Sequence, residues 1–123
     1  MKLLKLVVVT LLCLSLYSCI LVVDANFDSK EEVDGFSARA ERNSRFISDL
    51  SLGTSRLTVV SIMGEADIAE AFTTGDVDYQ VLFYRTSQLH NDYQTTRDET
   101  TPLVFKDDRL VGWGDVALEN FSE

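Results

Sequence analysis

The 123-residue chain has one proline, one histidine and two cysteines, and both cysteines, Cys13 and Cys19, fall within the first 19 residues. That leaves the remainder without a thiol for a disulfide or a nucleophile, and without the His/Cys ligand sets that zinc sites use. An exported domain of this composition must be held by its core alone. No GxSxG, no phosphate-cradling glycine loop and no HExxH occurs. Basic residues are also scarce, at 11 against 20 acidic ones. A surface of that sign repels nucleic acid and anionic headgroups, so neither is an expected partner. No internal repeat or low-complexity run is present, and the length is that of one domain.

The N-terminus has its own chemistry. Met1 to Lys5 is short and positive, and Leu6 to Leu16 is apolar apart from Thr10 and Ser15. Leu16-Tyr17-Ser18-Cys19 then resembles a bacterial lipobox: an apolar residue three before the cysteine, a small residue before it, then the thiol that accepts lipid. Tyr17 stands where a small residue is more usual. The reading is a signal peptide over residues 1–18, cleavage before Cys19, and acylation of that cysteine. One acyl chain anchors marginally, because each buried CH₂ is worth about 0.8 kcal/mol, whereas three make the anchor permanent. An uncut anchor stays open, since apolar residues run on to Val23 and 18 residues approach a bilayer-spanning length. Both readings keep Lys2 and Lys5 inside and send everything after Asp24 outward. The expected location is the cell envelope, lipid-anchored and facing the periplasm. Ile20, in place of aspartate after the cysteine, points to the outer membrane. Loss of residues 1–18 removes two lysines and no acid, leaving nine basic against twenty acidic side chains, a formal charge of −11.

Residues 19–35 read as the lipidated cysteine and a flexible acidic tether, because DANFDSKEEVDG lacks apolar periodicity. Residues 36–123 read as a single globular domain. Ala40, Phe46, Ile47 and Leu50 recur at helical spacing in the first segment. Gly53 stops it, and Thr54 or Ser55 can cap a short second helix with Leu57, Val60 and Met63 on one face. The period then changes to two. Ile68 to Phe72 suits a strand, and Thr73-Thr74-Gly75-Asp76 a turn. VDYQVLFYRT puts Val77, Tyr79, Val81 and Phe83 on one face, with Gln80, Leu82 and Tyr84 on the other. Ser87 to Thr101 is a long polar stretch, and LVFKDDRLVGWG reads as a hairpin turning near Asp107-Asp108. Pro102 sits at a strand start, where it is tolerated. The expected class is α+β: two N-terminal helices packed on a small antiparallel sheet of three to four strands.

LSLGTSRLTVVSIMGEAD resembles the helix-turn-helix opening of the SmpA/OmlA/BamE family of small outer-membrane lipoproteins. Leu52, Gly53, Gly64 and Asp67 match its pattern, and Ala66 stands where proline is usual. VLFYRT, TTRDETTPLVF and LVGWGD are similar to an uncharacterised family of gammaproteobacterial lipoproteins with a domain of unknown function. The resemblance spans Asn43 to Val116. It implies the helix-helix-sheet fold and a periplasm-facing lipoprotein, and it implies no reaction.

Candidate residues are few. His90 lies near Asp92, Asp98 and Glu99, where a general base is conceivable but a solvated loop histidine is the simpler reading. Asp98-Glu99 and Asp107-Asp108 lack the spacing of a calcium loop. Trp113, between two glycines, forms with Tyr84 and Tyr79 the candidate binding surface, against the alternative of aromatics lining a core. No catalytic set, metal site or cofactor is expected. The expected function is a non-enzymatic envelope lipoprotein acting by protein contacts, as an assembly or scaffold accessory with an envelope protein partner. The alternatives are a periplasmic ligand-binding or enzyme-inhibitor module and, with less support, an enzyme using His90.

Overall fold

The computed structural model describes residues 1–4 and 29–123. Cys19, the end of the expected signal peptide and the first part of the expected tether lie outside the described residues. Within residues 29–123 two helices come first, α1 (Ser29–Ser48) and α2 (Arg56–Met63). Four strands follow: β1 (Ile68–Thr74), β2 (Val77–Arg85), β3 (Thr100–Lys106) and β4 (Arg109–Trp113). A 3₁₀ turn, Arg97–Glu99, precedes β3, and a third helix, α3 (Asp115–Ser122), ends the chain. The sheet is an antiparallel meander in the order β1-β2-β3-β4. The class is therefore α+β, as the periodicity implied. Two expectations are corrected. Helix α1 begins at Ser29, inside the stretch read as tether, and α3 follows the sheet, so the helices are not all N-terminal.

Helix α1 turns a seam of Phe36, Ala40, Asn43 and Ile47 toward the sheet, a spacing of four and three residues that keeps one face inward, and Leu50, just past its end, packs against the same core. Asn43 in that seam is buried and donates through Nδ2 to the Arg85 carbonyl at 2.9 Å. Helix α2 has eight residues, too few to persist in water without tertiary contacts. Ser55 caps it, accepting the Thr58 N–H at 3.0 Å. Its inward residue is Val59, fully buried, with Val60 and Met63 packed beside it. Leu57, expected on that face, is 77% exposed: Val60 and Met63 keep their expected place and Val59 takes that of Leu57. Ile47 and Val59 close on Leu82, Tyr84, Leu103, Phe105 and Leu110. Burying a side chain of this size contributes about 1.5–3 kcal/mol, so this cluster holds the helices on the sheet.

The opposite sheet face carries Tyr79, Val81 and Phe83 and is covered in part by α3. The Phe121 ring lies 5.4 Å from that of Tyr79, which stacks on Phe72 at 5.1 Å. A Cβ built on Gly112 would fall 2.9 Å from the Ala117 Cβ, so this glycine lets α3 settle directly on β4. Gly75 takes φ 60° in the β1–β2 turn. Asp107 and Asp108 take φ 50° and 59° in the two-residue β3–β4 turn, both in the left-handed region that aspartate tolerates and that such hairpins require.

Candidate functional site

Two features stand out. The first is a buried polar clamp at the end of β2. Arg85 and Glu99 are both 0% exposed, and Arg85 Nη2 donates to Glu99 Oε2 at 3.1 Å. A charge taken out of water is tolerated only when fully partnered, and both groups are. Arg85 also donates to the Ser87 carbonyl and to Thr95 Oγ1, at 3.3 and 3.1 Å, and lies 4.5 Å from the centre of the Phe36 ring. Glu99 Oε1 accepts the N–H groups of Leu89 and His90 at 2.8 and 2.9 Å, and Oε2 that of Thr96 at 3.3 Å. Its carbonyl accepts the N–H groups of Thr86 and Ser87. Burial alone would raise the Glu99 pKa, but the backbone donors and Arg85 outweigh it and hold the carboxyl below the ordinary range. Asp67 extends the clamp, accepting from the Arg39 guanidinium and from the Arg85 backbone N–H at 2.8 Å.

The clamp fixes the loop of residues 86–96, which would otherwise be long and structureless. The loop presents Leu89 and Tyr93 to solvent. His90 Nε2 lies 3.0 Å from Asp98 Oδ2, with both side chains half exposed. The hydrogen bond to Asp98 raises the His90 pKa, and bonds from Thr96 and His90 lower that of Asp98. This pair sits on the surface, and Asp92 Oδ1 is engaged with the Gln94 N–H. Among the described residues no three His, Cys, Asp or Glu side chains gather in a metal-binding arrangement.

The second feature is the contrast between the two sheet edges. The outer edge of β4 is sealed. Gly53 N donates to the Leu110 carbonyl at 2.7 Å, Leu110 N to Thr54 at 2.9 Å, and Arg56 N to Asp108 at 2.8 Å. The α1–α2 connection thus acts as a partial fifth strand, bridging Ser55 to Arg109. On β1, by contrast, no backbone group of the described residues bonds to the outer edge. Ala69, Glu70, Ala71 and Thr73 are exposed there. The only charge on the strand, Glu70, is tied to Arg97 at 3.1 Å.

The three aromatics expected to form one surface do not meet. Tyr84 is 1% exposed and faces the helices, its hydroxyl donating to the Gly64 carbonyl at 2.9 Å. Burial, with a smaller contribution from Asp67, pushes its pKa up to about 12. Tyr79 is on the other sheet face, under α3. Trp113 is 36% exposed at the end of β4, paired with Leu103. Tyr84 is corrected to a core residue because helices α1 and α2 cover its face. Sequence reasoning passed over Arg85 and Asn43, and read Asp67 only as part of a family pattern. Glu99 did carry a local signal: Thr96-Arg97-Asp98-Glu99 has the spacing of a capping box, whose glutamate returns to the backbone of its cap.

The family model described as a protein of unknown function, DUF3192, matches residues 17–120. The chain belongs to that family. No curated protein and no solved structure matches it. The DUF3192 match takes in all four strands, both leading helices and the clamp. It also takes in Cys19, which lies outside the described residues. Among the described residues no helix is long and apolar enough to cross a membrane.

Proposed function

We propose that this chain is a non-enzymatic, lipid-anchored protein of the bacterial cell envelope that acts by contact with other proteins. The observation that carries the contact reading is the pair of sheet edges: one sealed by the chain itself, the other left without a backbone partner among the described residues. An open strand edge is a template for another chain, and proteins ordinarily blunt it with lysine, proline or a covering loop. On β1 none of these is present among the described residues.

The anchor reading rests on Leu16-Tyr17-Ser18-Cys19, with Cys19 as the lipidated residue, and on its inclusion in the family match. The outer membrane is favoured by Ile20. Two helices leading into an antiparallel meander support a kinship in fold with the SmpA/OmlA/BamE lipoproteins.

The test is made in the cell on the full chain. A photo-crosslinking residue is placed at position 71, on β1, and separately at position 57, on the exposed side of α2. Discrete adducts with envelope proteins at either position are expected. Absence of adducts at both overturns the contact reading. For the anchor, metabolic labelling with palmitate is expected to mark the native chain and not Cys19→Ala; equal labelling refutes lipidation at that residue.

A further inference from the structure

We infer that β1 takes up an extended, basic segment of a partner protein as an added strand, with its cationic side chains directed to the aspartates at the turn end of the sheet. The inference rests on the protein-contact reading above and names the chemistry of the partner.

The geometry begins at the β1–β2 turn. Thr74 and Val77 flank a two-residue turn and are paired in register. In such a hairpin the residues flanking the turn exchange hydrogen bonds, and bonded pairs then alternate along the strands. Phe72 and Glu70 therefore bond to β2. The N–H and C=O groups of Ala69, Ala71 and Thr73 point outward, and these are the groups an incoming strand would use.

The side chains of these same three residues share a face with Asp78, Gln80 and Leu82, their partners across the pair. Helices α1 and α2 cover Leu82 but stop short of Gln80 and Asp78, which are exposed. Because Ala69 and Ala71 are small, an open groove of about 350 Å³ remains beside the edge, lined by Arg56, Ala69, Glu70, Ala71, Gln80 and Leu82, with Glu70 already paired to Arg97. A second hollow of about 190 Å³ adjoins it, sharing Gln80 and lined also by Asp78, Phe105, Asp107 and Asp108. Main-chain bonds to Ala69, Ala71 and Thr73 would give affinity, and alternate side chains falling into these hollows would give selectivity.

Charge decides between occupants. The groove's one cation, Arg56, is paired with Asp108 at 2.8 Å. Asp76, Asp78 and Asp107 remain around the turn end, where Lys106 and Arg109 are in register with Tyr79 on the other sheet face, and the chain beyond residue 18 carries a formal charge of −11. Two copies meeting edge to edge would bring like charges together, whereas a lysine- or arginine-bearing strand meets opposite charge.

The test uses the full chain in detergent micelles and an acetylated ten-residue probe peptide that alternates lysine with valine and threonine. Its glutamate counterpart is the control. Hydrogen–deuterium exchange is followed over residues 68–74. The lysine probe is expected to slow exchange there and the glutamate probe to leave it unchanged. Ala71→Pro removes an outward donor without removing a β1–β2 bond, so it is expected to keep the melting temperature and abolish the protection. Asp78→Asn with Asp107→Asn is expected to weaken binding about two- to fivefold per site, the size of exposed charge pairs.

Three exchange results overturn the inference. One is equal protection by both probes or none by either. A second is protection in the free chain that rises with its own concentration, which assigns the edge to a second copy. A third is protection in the free chain that is independent of concentration, which assigns it to another segment of the same chain. Crosslinks in the cell at position 57 but not 71 would overturn strand addition while leaving the contact reading standing.

Discussion

Arg85 and Glu99 meet at 3.1 Å with neither side chain exposed to solvent, and between them they bond the backbone or side chains of five residues of the loop that joins β2 to β3. A buried pair of this kind is weak support for stability, since an apolar replacement of both partners is often neutral. Removal of one partner is different, because the other charge stays buried and alone. The pair therefore fixes a loop conformation, and its disruption should be read in the loop first.

Arg85→Met is expected to cost about 3–5 kcal/mol, and Arg85→Met with Glu99→Gln, which removes the lone charge but keeps an acceptor for the loop N–H groups, distinctly less than the single change. Urea unfolding of the four proteins of the cycle gives both numbers. Cleavage by a protease near Tyr93 should quicken in the single variant. A double variant as unstable as Arg85→Met would refute the account. The pH dependence has a defined sign. Glu99 is held below its ordinary value of 4.5, so its contribution is present above that pH and lost as pH falls through the folded value. The Glu99→Gln protein should lack that acid-side loss.

Tyr84→Phe is expected to destabilise by about 1 kcal/mol, since it deletes one hydrogen bond to a carbonyl that water can reach. Tyrosinate absorbance should show one tyrosine titrating near pH 12 in the native chain and missing from the variant. Because the folded pKa is raised from 10.0, the contribution is full below pH 10 and is lost as pH rises toward 12. Ionisation of every tyrosine near pH 10 in the folded protein would contradict its burial.

His90 is expected to titrate above 6.5, followed by the shift of its ring protons in NMR, and Asp98→Asn should lower that value. The linked stabilisation is present below pH 6.5 and lost as pH rises through the folded pKa. Both groups are exposed, so global stability should hardly move with either change. An unchanged His90 titration in Asp98→Asn would show that the pair does not persist in solution.

Gly112→Ala is expected to cost about 1–3 kcal/mol, because the new methyl would sit 2.9 Å from Ala117 and 3.3 Å from Phe121. Its backbone needs no glycine, so the effect is one of contact alone. Gly35→Ala, in open space on α1, serves as the control and should stabilise by up to about 1 kcal/mol. Similar melting temperatures for the two variants would show that α3 does not pack on β4.

Much of the architecture was legible because its causes are local. The change of period from helical spacing to alternation marks where α2 gives way to β1. Ser55 caps the second helix and Asp107-Asp108 turns the last hairpin as their side-chain chemistry dictates. The eight residues of α3 escaped because Asp115–Ser122 is short and its apolar residues, Ala117, Leu118 and Phe121, declare a face only once β4 lies beneath them. Asn43 escaped because a polar residue in an apolar seam reads as an interruption until the Arg85 carbonyl stands opposite it.

The sequence by itself determined what depends on neighbours along the chain: the helix and strand periods, the caps, the turns, and the separation of Tyr84 from Tyr79 onto opposite sheet faces. Tertiary structure alone decided what depends on residues far apart in the chain. It chose which of those faces the helices would cover, and so made Tyr84 core. It joined Gly53 to Leu110 and sealed one edge of the sheet, while no described residue bonds the outer edge of β1. It also brought Arg85 to Glu99 across an intervening loop, a pairing no local pattern specifies. Burial and long-range pairing are properties of what lies opposite a residue, and only the assembled fold supplies that neighbour.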